Sequence, residues 1–179
     1  GATLKQFETL LGGGLSMNEL NRNYYNISNR LQSITDGKLQ IANSIWYRNK
    51  NLKVEKGFLQ TNANYFGAGA FQLDFSKQES VDTINSWVKE HTGGKIDKMV
   101  DQISDDTVMY LINTLDFEAE WMQGYMDDSV SSEEFHTPGG TVTTPFMKSK
   151  ESYIHDENAD GMIKSFQDTR YAFAAILPK

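Results

Sequence analysis

The chain of 179 residues contains no cysteine. That absence excludes a disulfide framework, a thiolate metal site and a cysteine nucleophile, and it leaves the compartment open. Proline is scarce as well, confined to Pro138, Pro145 and Pro178. No cluster of Lys and Arg occurs, and the net charge is −7. Such a balance disfavours nonspecific binding to nucleic acid or to an anionic membrane surface. No apolar run approaches the roughly 20 residues that a membrane helix needs, and no apolar leader-like run opens the chain. Internal repeats and low-complexity stretches are also missing.

What is present is a soluble composition, 39% hydrophobic, 12% aromatic and 23% charged, enough to build a domain core or part of a larger one. Apolar spacing predicts a short helix over 3–11 (Leu4, Phe7, Leu10, Leu11), stopped by Gly12-Gly13-Gly14. Ser16-Met17-Asn18-Glu19 fits a capping box. It opens a second helix with the stripe Met17, Leu20, Tyr24, Ile27, Leu31 and Ile34. Asp36-Gly37 then turns the chain into a strand in which Leu39, Ile41, Ile45 and Tyr47 alternate, with Asn43 in phase. Asn49-Lys50-Asn51 reads as a turn, 54–66 as a helix and 70–75 as a strand. Ser80 suits the N-cap of a further helix carrying Val81, Ile84, Trp87 and Val88, which Gly93-Gly94 ends. Residues 95–106 read as an irregular return with Ile96, Met99, Val100 and Ile103 partly buried.

Residues 107–117 are the strongest strand and are apolar on both faces, which predicts an interior position with Asn113 deep inside it. A buried amide without partners costs about 1–3 kcal/mol, so Asn113 is expected to act as a pin. Beyond Trp121 the pattern becomes β. A hairpin is expected around Pro138-Gly139-Gly140, with Glu133–His136 and Thr141–Met147 as its arms. A strand follows at 149–155, then a second hairpin of Met162–Gln167 and Tyr171–Leu177, turning at Asp168-Thr169-Arg170. Tyr171–Leu177 is wholly apolar and predicts a sheet interior. Because the chain stops two residues later, it is expected to end before its fold is closed.

Chemical motifs are weak. His91, His136 and His155 share no metal-ligand spacing. Asp156, Asn158, Asp160 and Gly161 copy the first half of a calcium loop, but Lys164 stands at its ninth position and Gln167 at its twelfth, where a bidentate Glu is needed. Gly93-Gly94-Lys95 follows a helix and is succeeded by Ile96, so it is no phosphate loop. Asp105-Asp106, Asp127-Asp128 and Glu133-Glu134 are adjacent carboxylates that point apart in extended chain. Nothing places a Ser beside a His and an Asp. No enzyme mechanism and no cofactor is expected.

Several stretches, taken in order, resemble the serpin family. Gln40–Trp46 is similar to the second strand of that family's large sheet A. Phe58–Ala68 and Leu73–Ser76 resemble the next helix and edge strand, and Thr83–Ile96 the helix lying across the sheet. Leu111–Phe117 with Glu120-Trp121 resembles the central strand, Phe135–Met147 the hairpin beyond it, and Tyr171–Pro178 a strand of sheet B. The resemblance spans about 3–178. It implies an α+β fold, a partial serpin domain over 1–179, with helices and sheet A strands over 3–126 and hairpins of sheets C and B over 127–179.

The resemblance further implies inhibition of serine or cysteine proteases. Sheet A opens, the cleaved reactive loop inserts as a new strand, and the protease is trapped as an acyl-enzyme. Asn43 and Asn113 match the mid-sheet shutter and Trp121 the breach where the loop first enters. The partner is a target protease reached through a reactive loop this chain lacks, so the chain alone is expected to be inactive. Secretion or cell-surface display is implied, with self-association through open sheet edges as a hazard. Arg22 and Arg30 against Glu19 make helix 15–34 a poor glycosaminoglycan site, so no heparin binding is expected. The alternatives are a non-inhibitory serpin-fold carrier and an independent α+β interaction domain. The serpin reading of the residues leans on 107–121 being an interior strand beside a gap.

Overall fold

The computed structural model describes residues 1–34 and 37–179, so the turn expected at Asp36 lies outside the described residues. The described residues divide into two compact units, one of Gly1–Ile34 with Lys38–Glu118, the other built on Ala119–Lys179.

In the first unit, α1 (Ala2–Gly12) ends at Gly13, whose φ of 58° turns the chain so that the Gly13 N–H donates to the Thr9 carbonyl at 3.2 Å and the Gly14 N–H to the Glu8 carbonyl at 3.1 Å. Helix α2 (Met17–Leu31) carries the expected capping box: Ser16 Oγ accepts from the Glu19 amide, and Glu19 Oε2 accepts from the Ser16 amide at 3.0 Å. The helix ends at Leu31, one turn before Ile34. Strand β1 (Lys38–Arg48), helix α3 (Lys56–Phe66), strand β2 (Gly69–Leu73), helix α4 (Gln78–His91) and strand β3 (Met109–Glu118) follow. The sheet order is β2-β1-β3, with β1 parallel to β2 and antiparallel to β3.

Alternation along β1 divides its work between two faces. Trp46 points to α4 and joins Val81, Ile84, Val88, Val100 and Ile112 in the core, with Leu73, Phe75, Trp87, Ile103 and Tyr110 around it. Each fully buried aliphatic side chain there contributes about 1.5–3 kcal/mol. The return segment after α4 is held by Asn85. Its Oδ1 accepts from the Met99 and Val100 amides at 2.9 Å each, and its Nδ2 donates to the Val100 carbonyl at 2.8 Å. Val100 is buried, whereas Ile96 and Met99 are exposed.

Three expectations change here. Helix α4 is capped at Lys77, without a side-chain bond. Ser80 sits inside the first turn and donates to the Asp74 carbonyl at 2.7 Å, an acceptor at the start of the turn closed by the Lys77 N–H to Asp74 carbonyl bond. Strand β3 has β1 on one edge and no strand on the other among the described residues. Its Ile112, Thr114 and Asp116 are buried, while Leu111, Asn113 and Leu115 are exposed. An apolar run shows that a strand can be covered on both faces, but the cover must come from other elements.

In the second unit, a short 3₁₀ turn (Asp127–Ser129) precedes strands β4 (Val130–Thr137) and β5 (Gly140–Met147), the expected hairpin, closed through Pro138-Gly139. Gly140 takes a φ of 124°, which a side chain would resist. Strands β6 (Ser152–His155), β7 (Ala159–Ser165) and β8 (Ala172–Pro178) form an antiparallel sheet in that order. Strand β8 is thus an edge, with Phe173, Ile176 and Leu177 exposed rather than interior. Among the described residues no helix is long and apolar enough to cross a membrane.

Candidate functional site

Asn43 and Asn113 face each other in the β1–β3 register. Asn113 Nδ2 donates to Asn43 Oδ1 at 2.8 Å, and Asn43 Nδ2 donates to the Phe66 carbonyl at 2.8 Å. The carbonyl of Phe66 is one of those left free at the C-terminus of α3. Two amides therefore run as a relay from β3 through β1 to the end of a helix. Gly67, at φ 60°, ends that helix and lets the chain turn directly into β2. Asn43 is half-buried and Asn113 exposed, so the relay's inner member carries the larger desolvation cost. A cavity of about 170 Å³ lies beside it, lined among others by Asn62, Phe66, Ala68 and Leu111.

On the other face of β3, Asp116 is 3% exposed. Lys38 from β1 donates to its Oδ2 at 2.6 Å, and Lys95 from the return segment bonds its Oδ1. Lys95 also reaches Glu118 at 3.3 Å. Hydrogen bonds first from Lys38 and then from Lys95 hold the Asp116 carboxyl below the usual carboxylate range. Lys95 is raised in turn, chiefly by Asp116. This cluster was not legible as such in the sequence, where Gly93-Gly94-Lys95 shows only that it fails as a phosphate loop.

Trp121 belongs to the second unit. Its ring stacks on Phe166, centroids 4.5 Å apart and planes 11° from parallel, and meets Phe173 edge-on at 6.0 Å. A β-bridge joins Trp121 to Phe166 through the backbone. The structure thus brings the two asparagines together in the first unit, and Trp121 is packed within the second. Sequence reasoning missed Lys164, which is 3% exposed and ion-paired with Glu151. A lone cation between Ile163 and Phe166 was its available signal.

The three histidines, Asp156 and Glu133 make local contacts. His91 Nδ1 lies 2.8 Å from the Trp87 carbonyl and its ring stacks on Trp87. His136 bonds Thr141, and His155 stacks on Tyr153. Asp156 accepts from the Asn158 and Ala159 amides at 2.8 Å, capping the β6–β7 turn. Glu133 pairs with Lys148.

Comparison with known proteins follows the same architecture. The family model described as Serpin (serine protease inhibitor) matches residues 1–179, and the chain belongs to the serpin family. A serpin-like protein of Thermococcus kodakarensis is 28% identical over 145 residues, covering 79% of this chain and 34% of that protein. The hibernation-specific plasma protein HP-55 of Tamias sibiricus is 30% identical over 124 residues, 66% of this chain and 30% of its own length. The thermophilic serpin tengpin in its native state superimposes with a TM-score of 0.87 at 39% identity, covering 100% of this chain and 46% of tengpin's. The chain thus spans about a third of these curated relatives and about half of the solved serpin. Among the described residues β3 is an edge strand, and the family match extends over residues 1–179 with β3 in that place.

Proposed function

We propose that residues 1–179 form the N-terminal-side half of an inhibitor of serine or cysteine proteases that works by inserting its reactive loop beside β3. The observation that carries this reading is the free edge of β3. Among the described residues no strand but β1 pairs with β3, and the other edge over Met109–Asp116 offers a row of N–H and C=O groups that is a template for another strand. Asn43 and Asn113 serve as the shutter in this reading: their relay ties β3 to β1 and to α3, so that the two strands move as one piece when the free edge is filled. Trp121 serves as the breach, where the loop enters first. Secretion or cell-surface display accompanies the reading, and the plasma relative supports it.

The test uses the longer protein that contains this chain together with its reactive loop. Incubation with trypsin-like, chymotrypsin-like and elastase-like proteases should give an SDS-stable complex with at least one of them. The 179-residue chain by itself should give none. Loop cleavage without a complex by every protease would favour the carrier alternative, and a complex with the 179-residue chain would overturn the need for a separate loop.

A further inference from the structure

We propose that Lys164 is a positioning residue for the Trp121 indole, holding it in one arrangement through its ammonium group. The inference rests on the reading of Trp121 as the breach only for its functional consequence; the positioning itself rests on geometry.

Lys164 lies on β7 and Phe166 two residues on, just past the strand's end and still extended in its bridge to Trp121, so both project to the same side. Between them they grip Trp121. Phe166 lies flat against the indole, and the Lys164 Nζ sits 5.5 Å from the indole centroid. Phe173, the β8 register partner of Lys164, closes on the indole edge-on. Tyr125 supplies a second ring, 4.5 Å from the same Nζ. Glu151 completes the surround and pairs with the ammonium. The backbone near Trp121 is already pinned, Met122 N–H to the Ser165 carbonyl at 3.0 Å and Gln167 N–H to the Glu120 carbonyl at 2.9 Å. What these bonds leave undetermined is the ring.

A buried ammonium is costly, and a Lys–Glu pair could often be replaced by apolar groups without loss. The pair alone therefore does not explain why the cation stands against two aromatic faces. A ring quadrupole attracts a cation and repels an anion, and the attraction grows when water is excluded. The side chain of Lys164 is 4% exposed. The cation thus favours the one ring arrangement that presents a face to it, and the indole becomes a discrete gate element instead of a loosely packed one.

A charge swap separates positioning from mere pairing. Lys164→Glu with Glu151→Lys keeps an ion pair but puts a carboxylate against the rings. The readout is ¹⁹F NMR of the full chain labelled with 5-fluorotryptophan, the Trp121 line assigned by Trp121→Phe, with Trp46 and Trp87 as internal references. The wild type should give one sharp Trp121 line. The swap, and Lys164→Gln, should raise a second ring conformer about tenfold or more, seen as splitting or broadening, while the reference lines stay put. Lys164→Arg, which keeps the cation, should restore the single line. A Trp121 line unchanged in both the swap and Lys164→Gln would overturn the proposal, as would equal broadening in Lys164→Arg. In the longer, loop-bearing protein, the swap should raise the number of inhibitor molecules consumed per protease trapped, and Lys164→Arg should leave that number near the wild-type value. If the wild-type protein traps no protease, the breach reading fails while the fluorine spectra still decide the positioning.

Discussion

Gly93 lies so close to Asp116 that a Cβ built on it would stand 3.2 Å from Oδ2 and 3.5 Å from Lys38 Nζ. Its φ of 58° is a second reason for glycine. The loop between α4 and its return segment is therefore fitted over the Lys38–Asp116–Lys95 cluster. Gly94, at φ 79°, has nothing within 4 Å of its would-be Cβ. Gly94→Ala should cost about 1–2 kcal/mol for the left-handed backbone alone, and Gly93→Ala about 1 kcal/mol more for the crowding. Urea unfolding of the two variants measures the difference; equal midpoints would remove the fitted-loop interpretation.

The relay through Asn43 predicts unequal costs at its two ends. Asn43→Ala leaves both the Asn113 amide and the Phe66 carbonyl without their partners and should destabilise by about 1–3 kcal/mol. Asn113→Ala removes one exposed donor and should cost about 0.5–1.5 kcal/mol. Reversal of that order in denaturant titrations would place the stabilising contact elsewhere.

Acid should act through Asp74. Hydrogen bonds from Ser76 and then Lys50 pull its carboxyl down from 3.8 to about 2. A carboxyl whose folded pKa is depressed contributes stability that is complete above its unfolded value and is lost as pH falls through the folded one. The window here runs from about pH 3.8 to about pH 2. Asp74→Asn should flatten the pH dependence of stability across that window. A carbon-detected titration of the Asp74 carboxyl with a midpoint near 4 would contradict the assignment.

Helix α2 should depend on its first residue. Ser16→Ala removes the side-chain half of the capping box and should cost about 1 kcal/mol, whereas Ser16→Asp should retain most of it. Helical circular dichroism during thermal unfolding follows the difference.

The two faces of the first sheet predict opposite sensitivities. Ile84 is 0% exposed and Leu111 66%. In this chain Ile84→Ala should cost about 2–5 kcal/mol, and Leu111→Ala should stay within about 0.5 kcal/mol. A large loss at Leu111 would mean that the outer face of β3 is covered.

Periodicity in the sequence located the helices and strands because each buries a face with a distinct repeat: the stripe from Met17 to Leu31 at helical spacing, the alternation from Leu39 to Tyr47 at strand spacing. It located the capping box because Ser16 and Glu19 are neighbours in sequence. It did not reveal how deep β3 and β8 lie, since an apolar Leu111 or Ile176 reports what a surface tolerates, not what lies over it. Resemblance matched Asn43 and Asn113 to one mid-sheet region, but their mutual bond needed the β1–β3 register, and the bond to Phe66 needed the end of α3 to be seen next to β1. Asp116 and Lys164 stayed hidden because their partners are far away in the chain: Lys38 is 78 residues from Asp116, and the rings around Lys164 come from beyond its own strand.

Strand β1 also carries a built-in proofreading of its alignment. Trp46, 1% exposed, and Asn43 sit three positions apart and so serve opposite faces. Sliding the strand by a single residue would push the indole out of its oily niche and turn the amide away from both of its correspondents at once. Two unrelated kinds of bonding, one greasy and one polar, thus penalise the same error, and a misaligned sheet has no way to satisfy either while sacrificing the other.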